Sequence, residues 1–280
     1  GDIKITRVVE LEVAGGSRFI LPDATREAVQ PIAWLAPHFA DADSRLIMSI
    51  HALIVETPDR RIMVDTCLGN DKQRTIPGWH MRQGPFLDDI AVAGYPRDSI
   101  DTVLCTHLHV DHVGWNTMLV DGKWVPTFPN ARYLIGQKEW DHWNGEGAAQ
   151  RRGDDIMGDS VRPVFEAGLV DLVDTDHAVA DGVWLEPTPG HTPGHVSVRI
   201  SSRGEDALIT GDCIHHPCQM ARPDWASSAD SDPDAARETR LGLLDRYADG
   251  PVKSCGMGWF IGWTYRTPSQ PKPVTMFYFQ

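Results

Sequence analysis

Positive charge is scarce in this sequence: 26 Lys+Arg face 39 Asp+Glu across 280 residues, a formal charge of -13, and no Lys/Arg-rich run breaks the balance. A chain this acidic offers little to a phosphate backbone, so nucleic acid is not an expected partner. Long apolar runs are missing too, since nothing approaches the roughly 20 consecutive apolar residues that cross a bilayer. The start of the chain shows no basic stretch followed by an apolar one and a small-residue cleavage site. A soluble, cytoplasmic protein with no membrane partner is therefore expected, with a removed leader left open by the start at Gly1.

Cysteine is sparse as well. Cys67, Cys105, Cys213, Cys218 and Cys255 are too few and too scattered for a disulfide scaffold, and an odd count leaves at least one thiol free. Gly-x-Ser-x-Gly, the phosphate-binding P-loop and Gly-x-Gly-x-x-Gly are all absent, which removes the serine-hydrolase and nucleotide-binding readings. What remains, 41% hydrophobic and 23% charged residues, is ample for a packed core and excludes disorder.

Segments rich in β-branched residues predict strands over Ile3 to Val13, Leu46 to Glu56, Arg61 to Asp65, Thr102 to Cys105, Arg132 to Ile135, Val183 to Glu186, Val196 to Ile200 and Ala207 to Thr210. Helices are expected at Pro85 to Ala93, Gln137 to Trp143 and Pro233 to Tyr247, the last opened by Asp232 as N-cap with Pro233 at the first helical position. Full-length helices do not separate most of these strands, as a doubly wound parallel sheet requires. An α/β fold with a two-sheet core and helices outside fits better. No repeat and no linker divides the chain, so residues 1–280 are read as one domain. Asn144 to Gly158 and Arg222 to Asp232 read as surface loops able to border a pocket.

The densest chemistry is His107-Leu108-His109-Val110-Asp111-His112, directly after the Thr102 to Cys105 strand. Three His and one Asp in six positions, at a point where a strand ends and the chain turns, form a set of donors suited to zinc and other borderline first-row ions. Farther along come Thr188-Pro189-Gly190-His191-Thr192-Pro193-Gly194-His195, a Pro/Gly-rich turn holding a His, and Leu208-Ile209-Thr210-Gly211-Asp212, a strand ending in an Asp. Asp65, at the end of its own strand, is either an acceptor that orients a ligand His or a plain strand-end cap. Cys105 and Cys213 read as small core residues rather than catalytic thiols.

With Val64-Asp65-Thr66, Thr106 to His112, Gly190 to His195 and Gly211-Asp212 in that order, the sequence resembles the metallo-β-lactamase-fold hydrolases from roughly Leu46 to Tyr247. The resemblance implies an αββα sandwich with two metal ions, zinc foremost and Mn, Fe or Co as alternatives. His107, His109 and His191 would hold one ion, Asp111 and His112 would belong to the second, and Asp212 would bridge them. Water bound to such an ion has its pKa lowered towards about 7, so a metal-bound hydroxide would attack the substrate while Asp111 passes a proton to the leaving group. His195 and His215 then read as supports or pocket residues, and Trp115, three after His112, as a neighbour of the site.

In that family a further His late in the chain completes the second site. Here the last histidine is His216, and Gly256-Met257-Gly258-Trp259-Phe260 stands where relatives carry Gly-x-His-Phe. His215 or His216, just after Asp212, is an alternative donor there, but their spacing fits a supporting or pocket role better.

Thr106 to Thr117, Gly122-Lys123-Trp124-Val125-Pro126 and Phe128-Pro129-Asn130-Ala131 look like the branch containing N-acyl homoserine lactone lactonases, which quench quorum signals, and methyl parathion hydrolase. That branch implies a small, neutral lactone, ester or organophosphate substrate, with a homodimer as an assembly it allows. Two rivals stand beside it: a thioester hydrolase of glyoxalase II type, and a metal-binding protein whose catalysis is impaired by the missing late His.

Overall fold

Three short runs, Arg61–Val64 (β3), Thr102–Cys105 (β4) and Arg132–Gly136 (β7), carry branched and aliphatic residues without polar alternation, the composition of strands buried on both faces. In the computed structural model, which describes residues 1–145, 153–248, 253–256 and 259–262, they form the parallel centre of a six-stranded sheet. Met63 lies opposite Val103, and Leu104 opposite Leu134. Val170–Val173 (β8) extends the parallel part, while Ile47–Glu56 (β2) is antiparallel to β3 and Lys4–Ala14 (β1) forms the far edge. Of β1 only Val8 is buried, the remaining positions being half-buried or exposed, as suits an edge strand.

A second mixed sheet runs in the order β14-β13-β12-β11-β10, built from Trp259–Gly262, Lys253–Gly256, Glu205–Ile209, Val196–Ser202 and Val183–Pro187. The three-residue β9, Ala178–Ala180, leads towards it through a turn at Asp181 and Gly182. Thr117–Val120 (β5) and Lys123–Pro126 (β6) make a separate hairpin, turned by Asp121 and Gly122 at φ 50° and 74°. Two consecutive positive φ values identify a type I′ turn, for which Asp-Gly is a favoured pair.

The helices are α1 (Arg26–Val29), α2 (Phe86–Val92), α3 (Gln137–Asn144), α4 (Arg162–Glu166), α5 (Cys218–Ala221) and α6 (Pro233–Arg246). The Asp232 side chain caps α6 by accepting from Ala235 N at 3.0 Å. All eight expected strands and three expected helices are present, with ends displaced by two residues at most. The β5–β6 hairpin, β8 and the shorter helices were not expected. Of the expected loop Asn144 to Gly158, residues 146–152 lie outside the described residues, and its end enters a π-helical turn, Met157–Val161.

Two compact units divide the chain: Asp2–Leu11 with Ile50–Ala180, which includes the centre of the first sheet, and Glu12–Ser49 with Asp181–Gln280, which includes the second. In the latter, Leu21, Val29, Leu35, Leu46, Leu208, Ile214, Trp225 and Leu243 share one buried apolar cluster. In the former, Lys72 and Arg74 are both buried against Asp159. Arg74 holds Asp159 with donor–acceptor distances of 2.6 and 3.0 Å, and Lys72 Nζ donates to Thr117 Oγ1 and to the Asp159 carbonyl at 2.8 and 2.9 Å.

Burial pulls the Lys72 ammonium from its ordinary value of 10.5 down to about 7, against the opposing pull of Asp159. Between those values the unfolded chain holds a proton that the folded chain has released. This group's stabilisation is therefore complete above pH 10.5 and is lost as pH falls towards 7. Urea unfolding of the wild type and Lys72→Met at pH 7 and pH 9 should show the wild type gaining about 2 kcal/mol on the variant at the higher pH. A pH-independent difference would mean that the buried amine stays charged.

Candidate metal centre

β4 delivers its chemistry at its carboxyl end. Past Cys105 the chain passes Thr106, turns through His107 to His112 and enters a 3₁₀ turn at Gly114–Asn116. His107 and His112 are fully buried, and His109 and Asp111 are half-buried. His107 Nε2 lies 3.0 Å from His109 Nδ1, and Asp111 Oδ1 lies 3.9 Å from His112 Nε2. The loop therefore presents two donor pairs.

Outer groups aim these rings. Asp65, in the left-handed region at φ 58°, accepts from Thr106 N and Thr106 Oγ1, and its Oδ2 lies 2.8 Å from His112 Nδ1. Tying one ring nitrogen to a carboxylate fixes the tautomer and turns the other nitrogen outward as a donor. Glu139, on α3, accepts from Leu108 N and from Trp143 Nε1 at 3.2 and 2.9 Å. The Trp143 ring in turn stands edge-on to His109, 5.4 Å between centroids.

Glu10, from β1, accepts from Leu68 N and Gly69 N of the loop that follows Asp65 and from Trp115 Nε1 just past the histidine loop. Burial raises its carboxyl above the ordinary value despite those donors. Trp115 is buried, stacks on Phe86 at 5.8 Å and has its indole N–H on Glu10, so it braces the loop from the core side.

The other unit carries the remaining candidates. Gly190, at φ 131°, lets the turn after β10 pass against α6, where a Cβ would meet Ala236 N at 2.3 Å. His191 follows, its Nδ1 2.8 Å from Asp230 Oδ1 and its Nε2 3.3 Å from Asp212 Oδ2. Asp230 lies in the loop expected over Arg222 to Asp232. Its other oxygen accepts from Ser227 N at 2.9 Å, and burial raises its carboxyl.

His195 Nε2 accepts from Asp212 N at 3.0 Å, which places the ring proton on Nδ1 facing Thr188. His195 thus holds the backbone of Asp212 and has both nitrogens engaged. His215 Nε2 is 3.3 Å from Asp212 Oδ2. His216, by contrast, is tied to backbone at both nitrogens, Phe39 O and Cys218 N, and burial pushes it down to about 3, so it is a neutral structural residue.

The donor set fits a divalent ion. Two N or O ligands at 2.0–2.2 Å from a tetrahedral ion stand about 3.4 Å apart. The His107–His109 pair at 3.0 Å and the His191–Asp212 pair at 3.3 Å match that spacing within each unit. Burial raises the Cys105 and Cys213 thiols to about 12 and Cys67 well above its ordinary value, so no thiolate nucleophile forms at these positions near neutrality. The stretch Gly256 to Phe260, where a late His was looked for, falls partly outside the described residues.

Sequence reasoning did not single out Glu10, Glu139 or Asp230. Each is an acid in a strongly acidic chain, with no local pattern to mark it.

The sequence pattern of the Metallo-beta-lactamase superfamily matches residues 47–253, and the chain belongs to this superfamily. The N-acyl homoserine lactonase AiiA of Bacillus thuringiensis subsp. kurstaki is 28% identical over 179 residues, covering 59% of this chain and 63% of that protein. The curated relatives it matches are covered over 57–66% of their length. Among solved structures, the hydrolase AbOPH of the beta lactamase superfamily aligns with a TM-score of 0.79 at 24% identity, over 100% of this chain and 96% of that one. AidC, a dizinc quorum-quenching lactonase, aligns at 0.72 with 23% identity, over 96% and 92%. The fold is thus the α/β sandwich of the metallo-β-lactamase class, with mixed sheets and flanking helices.

Gly114 offers a test of the loop itself. Its N–H donates to Cys67 O at 2.7 Å, and a Cβ built on it would lie 1.9 Å from the Leu68 carbonyl. Gly114→Ala should force the Asp65 loop and the histidine loop apart. The expected cost is roughly 3 kcal/mol or more in urea unfolding, together with weaker metal binding. A variant of wild-type stability would show that the two loops are not held in this contact.

Proposed function

We propose that the chain is a metal-dependent hydrolase of small, neutral lactones or related esters. The reading is carried by the two donor pairs of the His107 to His112 loop at the end of β4, with His107 backed by the Thr106 hydroxyl and His112 by the Asp65 carboxylate, in a member of the metallo-β-lactamase superfamily whose fold resembles that of AidC, a lactonase described as dizinc. In this reading His107, His109 and His191 hold one ion, Asp111 and His112 belong to a second, and Asp212 serves both. Divalent ions held there supply a Lewis acid and acidify water towards neutrality.

The chain's own residues supply the rest. Asp65 and Asp230 keep His112 and His191 in one tautomer and one orientation, and His195 pins the backbone of Asp212. Asp111, half-buried at the mouth of its loop, is the group proposed to hold the proton that the leaving oxygen receives. No Ser or Cys nucleophile is needed, in keeping with thiols that burial keeps protonated. The net charge of -13 disfavours anionic substrates and so favours neutral lactones, aryl esters or phosphotriesters over phosphomonoesters. The lactonases among the relatives make lactones the first choice within that set.

Purified protein should open N-acyl homoserine lactones, lose that turnover on chelation and regain it with added zinc, manganese or cobalt. Asp111→Ala and His109→Ala should each lower kcat/KM by about 10²-fold or more. Turnover that survives chelation, or that persists undiminished in either variant, would overturn the proposal. Turnover confined to thioesters would move the substrate assignment.

A further inference from the structure

The second-sheet unit holds a donor that the scheme above leaves unused. Asp212 Oδ2 stands 3.3 Å from His191 Nε2 and equally 3.3 Å from His215 Nε2. Both separations match the roughly 3.4 Å edge expected between N and O ligands of one tetrahedral ion. His215 is 4% exposed, and neither of its ring nitrogens makes a hydrogen bond among the described residues. A buried imidazole without a hydrogen-bond partner is disfavoured unless something else satisfies it.

The neighbouring histidines do not share this condition, because His195 is spent on Thr188 and Asp212 N and His216 on Phe39 O and Cys218 N. His215 is also built into place. Its backbone N–H donates to Gln219 Oε1 at 2.7 Å, and the buried Gln219 amide donates onward to Trp225 O at 2.9 Å. Its ring stands nearly perpendicular to that of His191, with centroids 4.7 Å apart at 74°. Ligand atoms of His191, His215 and Asp230 can all lie within 4.8 Å of one another. Asp230, however, is occupied with His191 Nδ1, so its carboxylate orients the ring rather than completing the set.

We infer that His215 is a protein donor, through Nε2, to the divalent ion that Asp212 binds. The inference rests on the reading of Asp212 as a metal ligand. It makes the Gly211 to His215 turn, one short stretch of chain, the source of both a carboxylate and an imidazole.

The test is metal binding, read without substrate. Chelator-stripped wild type, His215→Ala, His215→Gln and Asp212→Asn are titrated with cobalt(II). Visible absorption reports each coordination environment, and metal analysis after gel filtration gives the stoichiometry. Thermal midpoints of the metal-free proteins establish that each variant folds, with His215→Gln preserving bulk and polarity if the alanine variant does not fold.

Both His215 variants should hold one ion more weakly by over 100-fold, beyond the roughly 10–100-fold that loss of an outer-layer partner costs. The cobalt spectrum of that ion should change with it. If both variants keep wild-type affinity and spectrum while Asp212→Asn loses an ion, His215 is not a ligand and the metal reading of Asp212 stands. If the wild type and Asp212→Asn bind alike, or neither binds cobalt or zinc, the underlying reading of Asp212 fails and the inference with it.

Discussion

The site depends on a hydrogen bond used twice, a buried carboxylate tied to the Nδ1 of a buried imidazole. Asp65 does this for His112 and Asp230 for His191, each at 2.8 Å. An imidazole left to itself in a dry interior has two tautomers, either of which wastes a nitrogen. Fixing Nδ1 on an acceptor leaves Nε2 as a directed lone pair, which is the form a metal requires. Placing several such lone pairs beside carboxylates is unfavourable without a cation to gather them. The architecture therefore makes chemical sense as a metal centre more readily than as a satisfied core.

Keeping those acceptors in place requires backbone that ordinary strands and helices do not supply. Asp65 sits at positive φ immediately after β3, and the Cys67–Leu68 backbone comes so close to Gly114 that no side chain fits there. Glu10 caps the amides of that same loop and the indole of Trp115. The parallel strands β3 and β4 end side by side, with Val64 opposite Leu104, so the Asp65 loop and the histidine loop emerge as neighbours. Chemistry at the carboxyl ends of adjacent parallel strands is a recurrent outcome of such sheets.

Much of this was readable because it is local. The His107 to His112 motif carries its own spacing, Asp65 directly follows a hydrophobic strand, Asp212 stands three residues past the end of another, and the apolar runs of β3, β4 and β7 mark them as strands. Asp232 ahead of Pro233 gave the start of α6 to the residue. What escaped reading is non-local. Glu10 meets Trp115 across 105 positions, Asp230 meets His191 across 39, and Glu139 meets Leu108 across 31. In a chain with 39 acidic residues, nothing in the neighbourhood of those three distinguishes them from solvated surface acids. The β5–β6 hairpin is different: its Asp121-Gly122 signal was present, but Lys123 and Pro126 mask the alternation of so short a strand. His215 and His216 are indistinguishable by spacing, and only their surroundings separate an imidazole bonded to backbone at both nitrogens from one whose nitrogens make no hydrogen bond among the described residues.

The central claim is that these imidazoles and carboxylates are arranged for divalent cations. Crystals of zinc-supplemented protein, with diffraction collected just above and just below the zinc absorption edge, test it directly. The account predicts anomalous density, present only above the edge, within 2.0–2.2 Å of His107 and His109 and likewise of Asp212. Ordered water bridging those side chains, with no edge-dependent signal in zinc-saturated crystals, would contradict it.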